Sequence, residues 1–163
     1  MRPLGMLAAA ALVLGACAAQ EEPFTVAEVN VSSDLSTIGS PEAVAFWQNL
    51  DRDLETALAS EFVGVISPAG SVVNVDVDEL TLASVLSSGL GAEDARLAGS
   101  VEVVNPDGTT ASAYRVTATT QDVVTYLPPG TDVVSVQPTS AAFYSAVIQA
   151  FARGTAEVVM QGA

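Results

Sequence analysis

Asn105-Pro106-Asp107-Gly108 separates two stretches, Leu97 to Val104 and Thr110 to Thr119, in which apolar and polar residues alternate. Proline pre-sets φ and glycine accepts positive φ, so the segment between them reads as a turn. The two stretches then form an antiparallel hairpin, and the alternation selects its register. A four-residue loop, Pro106 to Thr109, sets Val103 opposite Ser112, Val101 opposite Tyr114 and Leu97 opposite Ala118. Leu97, Val101, Val103, Tyr114 and Val116 then share one face. Ser100, Glu102, Arg115 and Thr117 share the other, with Glu102 diagonal to Arg115. A three-residue loop would turn Tyr114 and Val116 to the polar side, so the longer loop is expected.

One apolar face on a hairpin calls for more strands and a cover. In Phe24 to Val31, Ala27, Val29 and Val31 take one side and Glu28 and Asn30 the other. That period of two predicts a strand. In Val72 to Ala83, Val73, Val75 and Val77 oppose Asn74, Asp76 and Asp78, and then Leu80 and Leu82 take the parity that had been polar. Either a bulge near Asp78-Glu79 flips the phase, or the two halves bury opposite faces. Val123 to Tyr126 reads as a continuation of the second hairpin strand. Leu127-Pro128-Pro129-Gly130 breaks it, and Val133 to Val136 is a short extended piece.

Two helices supply the cover. Ser40-Pro41-Glu42 has the order of a helix start: a capping hydroxyl, a proline at the first position, and an acid at the positive end of the dipole. Ala43, Trp47, Leu50, Leu54, Leu58 and Phe62 follow at helical spacing, with Ala57 beside them. Asp51, Asp53 and Glu55 read as its solvated side, and Gly64 as its stop. The second helix runs from about Thr139-Ser140 to Met160. Its polar residues, Ser145, Gln149, Arg153 and Glu157, fall on one line, and most of the rest is apolar. That is more apolar surface than a single sheet covers. Packing beside the first helix is expected to use it; a protein partner or another copy of the chain are the other takers. The fold expected is α+β: a two-layer sandwich with a mostly antiparallel sheet of four to five strands and two helices on one face.

Composition narrows the chemistry. The chain has 163 residues and a net charge of −14, with no histidine, no lysine and one cysteine. Without histidine there is no Ser-His-Asp triad and no imidazole metal site. Without lysine there is no Ser-Lys dyad and no Schiff base. No Gly-rich phosphate loop occurs, and five scattered arginines cannot form a nucleic-acid groove. No cofactor, no catalytic residue and no nucleic-acid partner are expected. The acidity reads as a repulsive, solubilising surface.

Arg2 precedes an apolar run from Leu4 to Leu14, and Leu14-Gly15-Ala16-Cys17 closes it. The run is too short to span a bilayer, which takes about 20 residues. Charged start, apolar middle and small-residue end are the parts of a secretory signal. Leu14-Gly15-Ala16-Cys17 resembles the lipobox of bacterial lipoprotein precursors. The resemblance implies cleavage before Cys17, with lipid on its sulfur and new amino terminus. It divides the chain into a signal peptide (1–16), a lipidated cysteine and tether (17–23) and one domain (24–163). Ala18 stands where an aspartate tends to retain such proteins on the inner membrane, so the outer membrane, periplasmic face, is expected. The element order behind the lipobox, and phrases such as Ala95 to Glu102 ahead of Pro106-Asp107-Gly108, are similar to transport-auxiliary and lipopolysaccharide-assembly lipoproteins. That resemblance implies a non-catalytic accessory role in an envelope complex, with a protein partner or self-association.

Asp76, Asp78 and Glu79 are the densest carboxylate cluster of the domain. Oxygen ligands suit a hard cation such as Ca²⁺, and paired carboxylates suit glycan hydrolysis. Their spacing matches no EF-hand loop, and an edge strand with protective charges is the simpler reading. A cleft that paired one of them with Glu102 or Asp122 would favour hydrolysis.

Overall fold

The computed structural model describes residues 23–34, 36, 47–81, 96–132, 136–137 and 139–162. Cys17 and the lipobox, the helix start at Ser40-Pro41-Glu42, Ala43 and Leu82 lie outside them. Four strands, β1 (Val26–Ser33), β2 (Ser71–Thr81), β3 (Arg96–Val104) and β4 (Thr110–Thr119), form one sheet in the order β1-β2-β3-β4. Among the described residues three helices, α1 (Leu50–Glu61), α2 (Thr120–Val124) and α3 (Ala141–Gln161), accompany them. The fold is α+β. Only the β1–β2 pair is parallel, because α1 lies between those strands in the chain.

The body of the hairpin forms in the expected register, but the expected four-residue loop is corrected. The Asn105 N–H donates to the Thr109 carbonyl at 2.8 Å, Val104 faces Thr110, and an extra residue of β4, Ala111, bulges to restore the alternation. Val103 faces Ser112, Val101 faces Tyr114 and Leu97 faces Ala118. Gly108 takes φ +83° in the turn, where Asp107 accepts from the Thr109 N–H and hydroxyl. The phase change in β2 is a bulge between Val77 and Glu79. Gly99 faces Val77 across it; a Cβ there would stand 2.6 Å from the Asp76 carbonyl oxygen. Val73, Val75 and Val77 are buried before the bulge, and Leu80 packs against the same core after it.

β1 departs from simple alternation. Its register with β2 shifts between Val26 and Glu28, so Val26 is buried, Ala27 is exposed, and Val29 and Val31 face the core. The expected grouping of Ala27 with Val29 and Val31 is therefore corrected: the irregularity puts an extra residue into the strand. The expected strand Val123 to Tyr126 is corrected as well. Thr119 ends β4, and its N–H and hydroxyl both donate to Asp122, opening α2 instead. Val136 is buried but belongs to no strand; Val133, Val134 and Ser135 lie outside the described residues.

Trp47, Leu50, Leu54, Leu58 and Phe62 form the buried stripe that carries α1 against the sheet. Phe62 caps α1, and Gly64 sits in the 3₁₀ turn Val63–Val65 that follows. α3 begins where Ser140 accepts from the Phe143 N–H at 3.2 Å. Its surplus apolar surface is absorbed within the domain by α1, α2 and the β3–β4 side of the sheet. Gly154 does not end α3. A Cβ there would meet Val116 Cγ1 at 3.6 Å, an ordinary contact. Gly154→Ala is expected to stabilise the domain by about 0.5–1 kcal/mol, since the helix gains propensity at no steric cost. Urea unfolding followed by circular dichroism checks it.

Candidate functional site

With both long helices on one side, the other side of the sheet faces solvent. Each row across it draws one residue from each strand. Asn30, Asn74, Glu102 and Ala113 form one row, and Ser32, Asp76, Ser100 and Arg115 the next. A shallow groove of about 490 Å³ crosses these rows, with Asp76 and Glu102 both among its walls. Asn30 Nδ2 donates to Asn74 Oδ1 at 3.2 Å, and the Ser32 hydroxyl donates to Asp76 at 3.0 Å.

The three carboxylates singled out in the sequence share this face but divide their contacts. Asp76 turns to Ser32 on β1. Asp78 and Glu79 turn to the arginines of β3 and β4. Arg115 Nη1 is 2.5 Å from Asp78 Oδ2 and Arg115 Nη2 is 3.6 Å from Glu79 Oε2, while Arg96 Nη1 is 3.4 Å from Glu79 Oε1. Consecutive strand residues normally point to opposite faces. The bulge is what lets Asp78 and Glu79 reach the same guanidinium. The Asp78 carboxylate, as hydrogen-bond acceptor, holds Arg115 above its usual range. Among the described residues no group of three or more His, Cys, Asp or Glu is placed to hold a metal ion. Glu102 accepts from the Thr110 hydroxyl at 2.7 Å rather than from Arg115. Asp122 is spent on the start of α2, away from the groove.

A larger cleft, about 780 Å³, opens at the end of the sheet where the chain enters β1. Phe24, Gly70, Ser71, Asn105, Ser112 and Val159 line it, drawn from the strand ends, the hairpin turn and the end of α3. No one segment of the sequence carries a signal for it, because separate loops and termini build it.

Asp51, Asp53 and Glu55 are not simply a solvated side of α1. Asp51 accepts from the Ser33 hydroxyl, and Glu55 Oε1 accepts from the Val31 N–H at 3.3 Å, so both fasten α1 to β1. Asp53 accepts from the Tyr144 hydroxyl at 2.8 Å, tying α1 to α3. Burial, and then the bond to Asp53, push the Tyr144 phenol well above its ordinary range. Trp47 meets the Tyr144 ring edge-on, with centroids 4.8 Å apart.

No family model matches the chain, and no curated protein matches it. Among solved structures, the PelC dodecamer from Paraburkholderia phytofirmans is 13% identical, aligned over 82% of this chain and 86% of that one at a TM-score of 0.43. A second PelC dodecamer structure from that organism aligns over 86% of each chain, at 13% identity and a TM-score of 0.42. An uncharacterised protein aligns over 85% of this chain and 93% of that one, at 13% identity and 0.45.

Proposed function

We propose that this chain is a non-catalytic, lipid-anchored accessory protein of the bacterial envelope, held at the periplasmic face of the outer membrane and serving a transport or assembly complex. Leu14-Gly15-Ala16-Cys17, behind a basic start and an apolar run, carries the reading. A diacylated or triacylated Cys17 gives firm attachment, since one acyl chain holds weakly and two hold well. No helix among the described residues is long and apolar enough to cross a membrane. The missing histidine and lysine, and the arginines that occupy Asp78 and Glu79, support a binding role over catalysis. Cells grown with an alkyne-bearing fatty acid are the test. The wild-type chain is expected to take up the label and fractionate with outer membranes, and Cys17→Ala to lose both. Crosslinking in those cells, followed by capture of the full-length chain, then names the complex. Loss of labelling without any loss of membrane association, or no labelling at all, refutes the anchor.

One observation favours a second reading, hydrolysis of envelope glycans: Asp76 and Glu102 share the groove on the open face. That groove is shallow, and Asp76 and Glu102 are both exposed. Undiminished glycan hydrolysis after Asp76→Asn and Glu102→Gln ends that reading.

A further inference from the structure

The two edges of the sheet are treated differently. On β1 the outer edge is blocked. Glu55 takes the Val31 N–H, Ser67 donates its N–H to the Val26 carbonyl at 2.9 Å, and Ile66 bridges to Val26. On β4 no described residue takes the corresponding groups: it is the outermost strand, and none of the loop or cap hydrogen bonds reaches the backbone of residues 111–118. An open edge of unpaired N–H and C=O groups is a template for another strand, and proteins guard such edges with charges, proline or bulges. β4 reads Thr-Ala-Ser-Ala-Tyr-Arg-Val-Thr-Ala-Thr from 110 to 119, with no proline and one charge; its one bulge, at Ala111, lies at the hairpin end and leaves Ser112 to Thr119 regular.

Charge distribution identifies the occupant. The chain carries 19 acidic residues, yet none falls between Asp107 and Asp122. The acids of the open face, Glu28, Asp76, Asp78, Glu79 and Glu102, stand on the other three strands. The β4 edge is therefore the one long margin of the sheet where two copies of an acidic domain approach without opposing carboxylates. We propose that β4 pairs with β4 of a second copy, antiparallel and about a two-fold axis, to make one continuous sheet. Every such register except the one centred on Arg115 sets each Arg115 opposite an uncharged residue. The pairing is isologous and consumes the open edge of both copies. The outer margins of the joined sheet are then the blocked β1 edges, so growth stops at a dimer. Pairing of this kind needs only the sheet edges and is independent of the lipid anchor.

The full-length protein in detergent, followed by native mass spectrometry and amide hydrogen exchange across a dilution series, tests it. A dimer is expected, with slowed exchange in residues 110–119 that tracks dimer population, and no concentration dependence in residues 26–33. Ala113→Asp with Thr117→Asp places acids at exposed β4 positions and is expected to weaken the dimer about tenfold or more. Ala27→Asp, at the exposed bulge of β1, is expected to leave it unchanged. A chain that stays monomeric, a dimer without concentration-dependent protection of β4, or a dimer weakened by Ala27→Asp instead, overturns the proposal. If the double variant does not fold, the exchange pattern of the wild-type chain decides alone. A monomer whose β4 becomes protected only in crosslinked complexes with another protein also overturns it, and assigns the edge to that partner.

Discussion

Alanine at position 70 is expected to cost the domain about 3 kcal/mol or more, a large share of the stability of a domain this size. Gly70 closes the turn between the 3₁₀ segment and β2, donating its N–H to the Ser67 carbonyl at 2.9 Å. The next residue, Ser71, donates to the Thr25 carbonyl at 2.8 Å and pairs with Val26. This tucks the turn directly against the start of β1. A Cβ at position 70 would stand 2.6 Å from the carbonyl carbon and oxygen of Thr25 and 2.7 Å from the nitrogen of Val26. These are backbone atoms, so no side-chain rotation relieves the clash. The strand itself has to move, which breaks the Ser71–Thr25 bond and loosens Val26, a core residue. Gly64 is the control, since a Cβ added there would meet nothing within 4 Å. Gly64→Ala is expected to fall within about 0.5 kcal/mol of wild type, as an unencumbered surface change does. Urea unfolding of both variants, read by circular dichroism, separates a steric cause at Gly70 from a general intolerance of alanine between α1 and β2.

What the sequence made legible, and what it did not, follows from the range of the forces involved. The hairpin register was readable because both strands bury alternate residues and the turn chemistry is local. A one-residue slip would have exposed Tyr114 and Val116. The β2 bulge was readable as a phase change for the same reason, with the alternatives decided by Leu80 packing on the same side as Val77. The irregularity in β1 was not, because Ala27 is small enough to suit either face. Val123 and Val124 suit a strand by composition, yet Asp122 accepting from Thr119 stops β4 and starts α2. That Thr-x-x-Asp spacing is a capping signal, and it was present in the sequence.

The candidate site divides along the same line. Asp76, Asp78 and Glu79 were visible because they are neighbours in the chain. Their arginine partners were not, since Arg96 and Arg115 come from two later strands and reach them only through register. The acids of α1 were misleading in the opposite sense. Periodicity places them off the apolar stripe, but it cannot show that Ser33, Val31 and Tyr144 wait there with donors. The surplus of apolar residues on α3 likewise reads as a surface in search of a partner, but α1 and α2 occupy it within the domain. Self-association is therefore better sought at a strand edge than on that helix.

Trp47 shows how much of this rests on one side chain. It is fully buried, begins the stripe that continues through Leu50, Leu54 and Leu58, and meets Tyr144 of α3 edge-on. Trp47→Ala removes an indole from a closed core and is expected to destabilise the domain by about 3–5 kcal/mol. Part of that loss is the contact with Tyr144, which is also held by its bond to Asp53. A double-mutant cycle with Tyr144→Leu, which removes the ring, is expected to return a coupling of about 0.5–1.5 kcal/mol, the worth of an aromatic pair beyond its area. Trp47→Phe tests the chemistry rather than the volume. The indole Nε1 is buried with no partner among the described residues. Phenylalanine gives up volume but also removes a donor with no partner among the described residues, and the two effects oppose each other. Its cost is expected to stay below about 1.5 kcal/mol. Because Trp47 is the only tryptophan, the comparison has to be read by circular dichroism rather than fluorescence. A phenylalanine variant as damaged as the alanine one would mean that a hydrogen bond from the indole nitrogen, rather than packing, holds Trp47 in place.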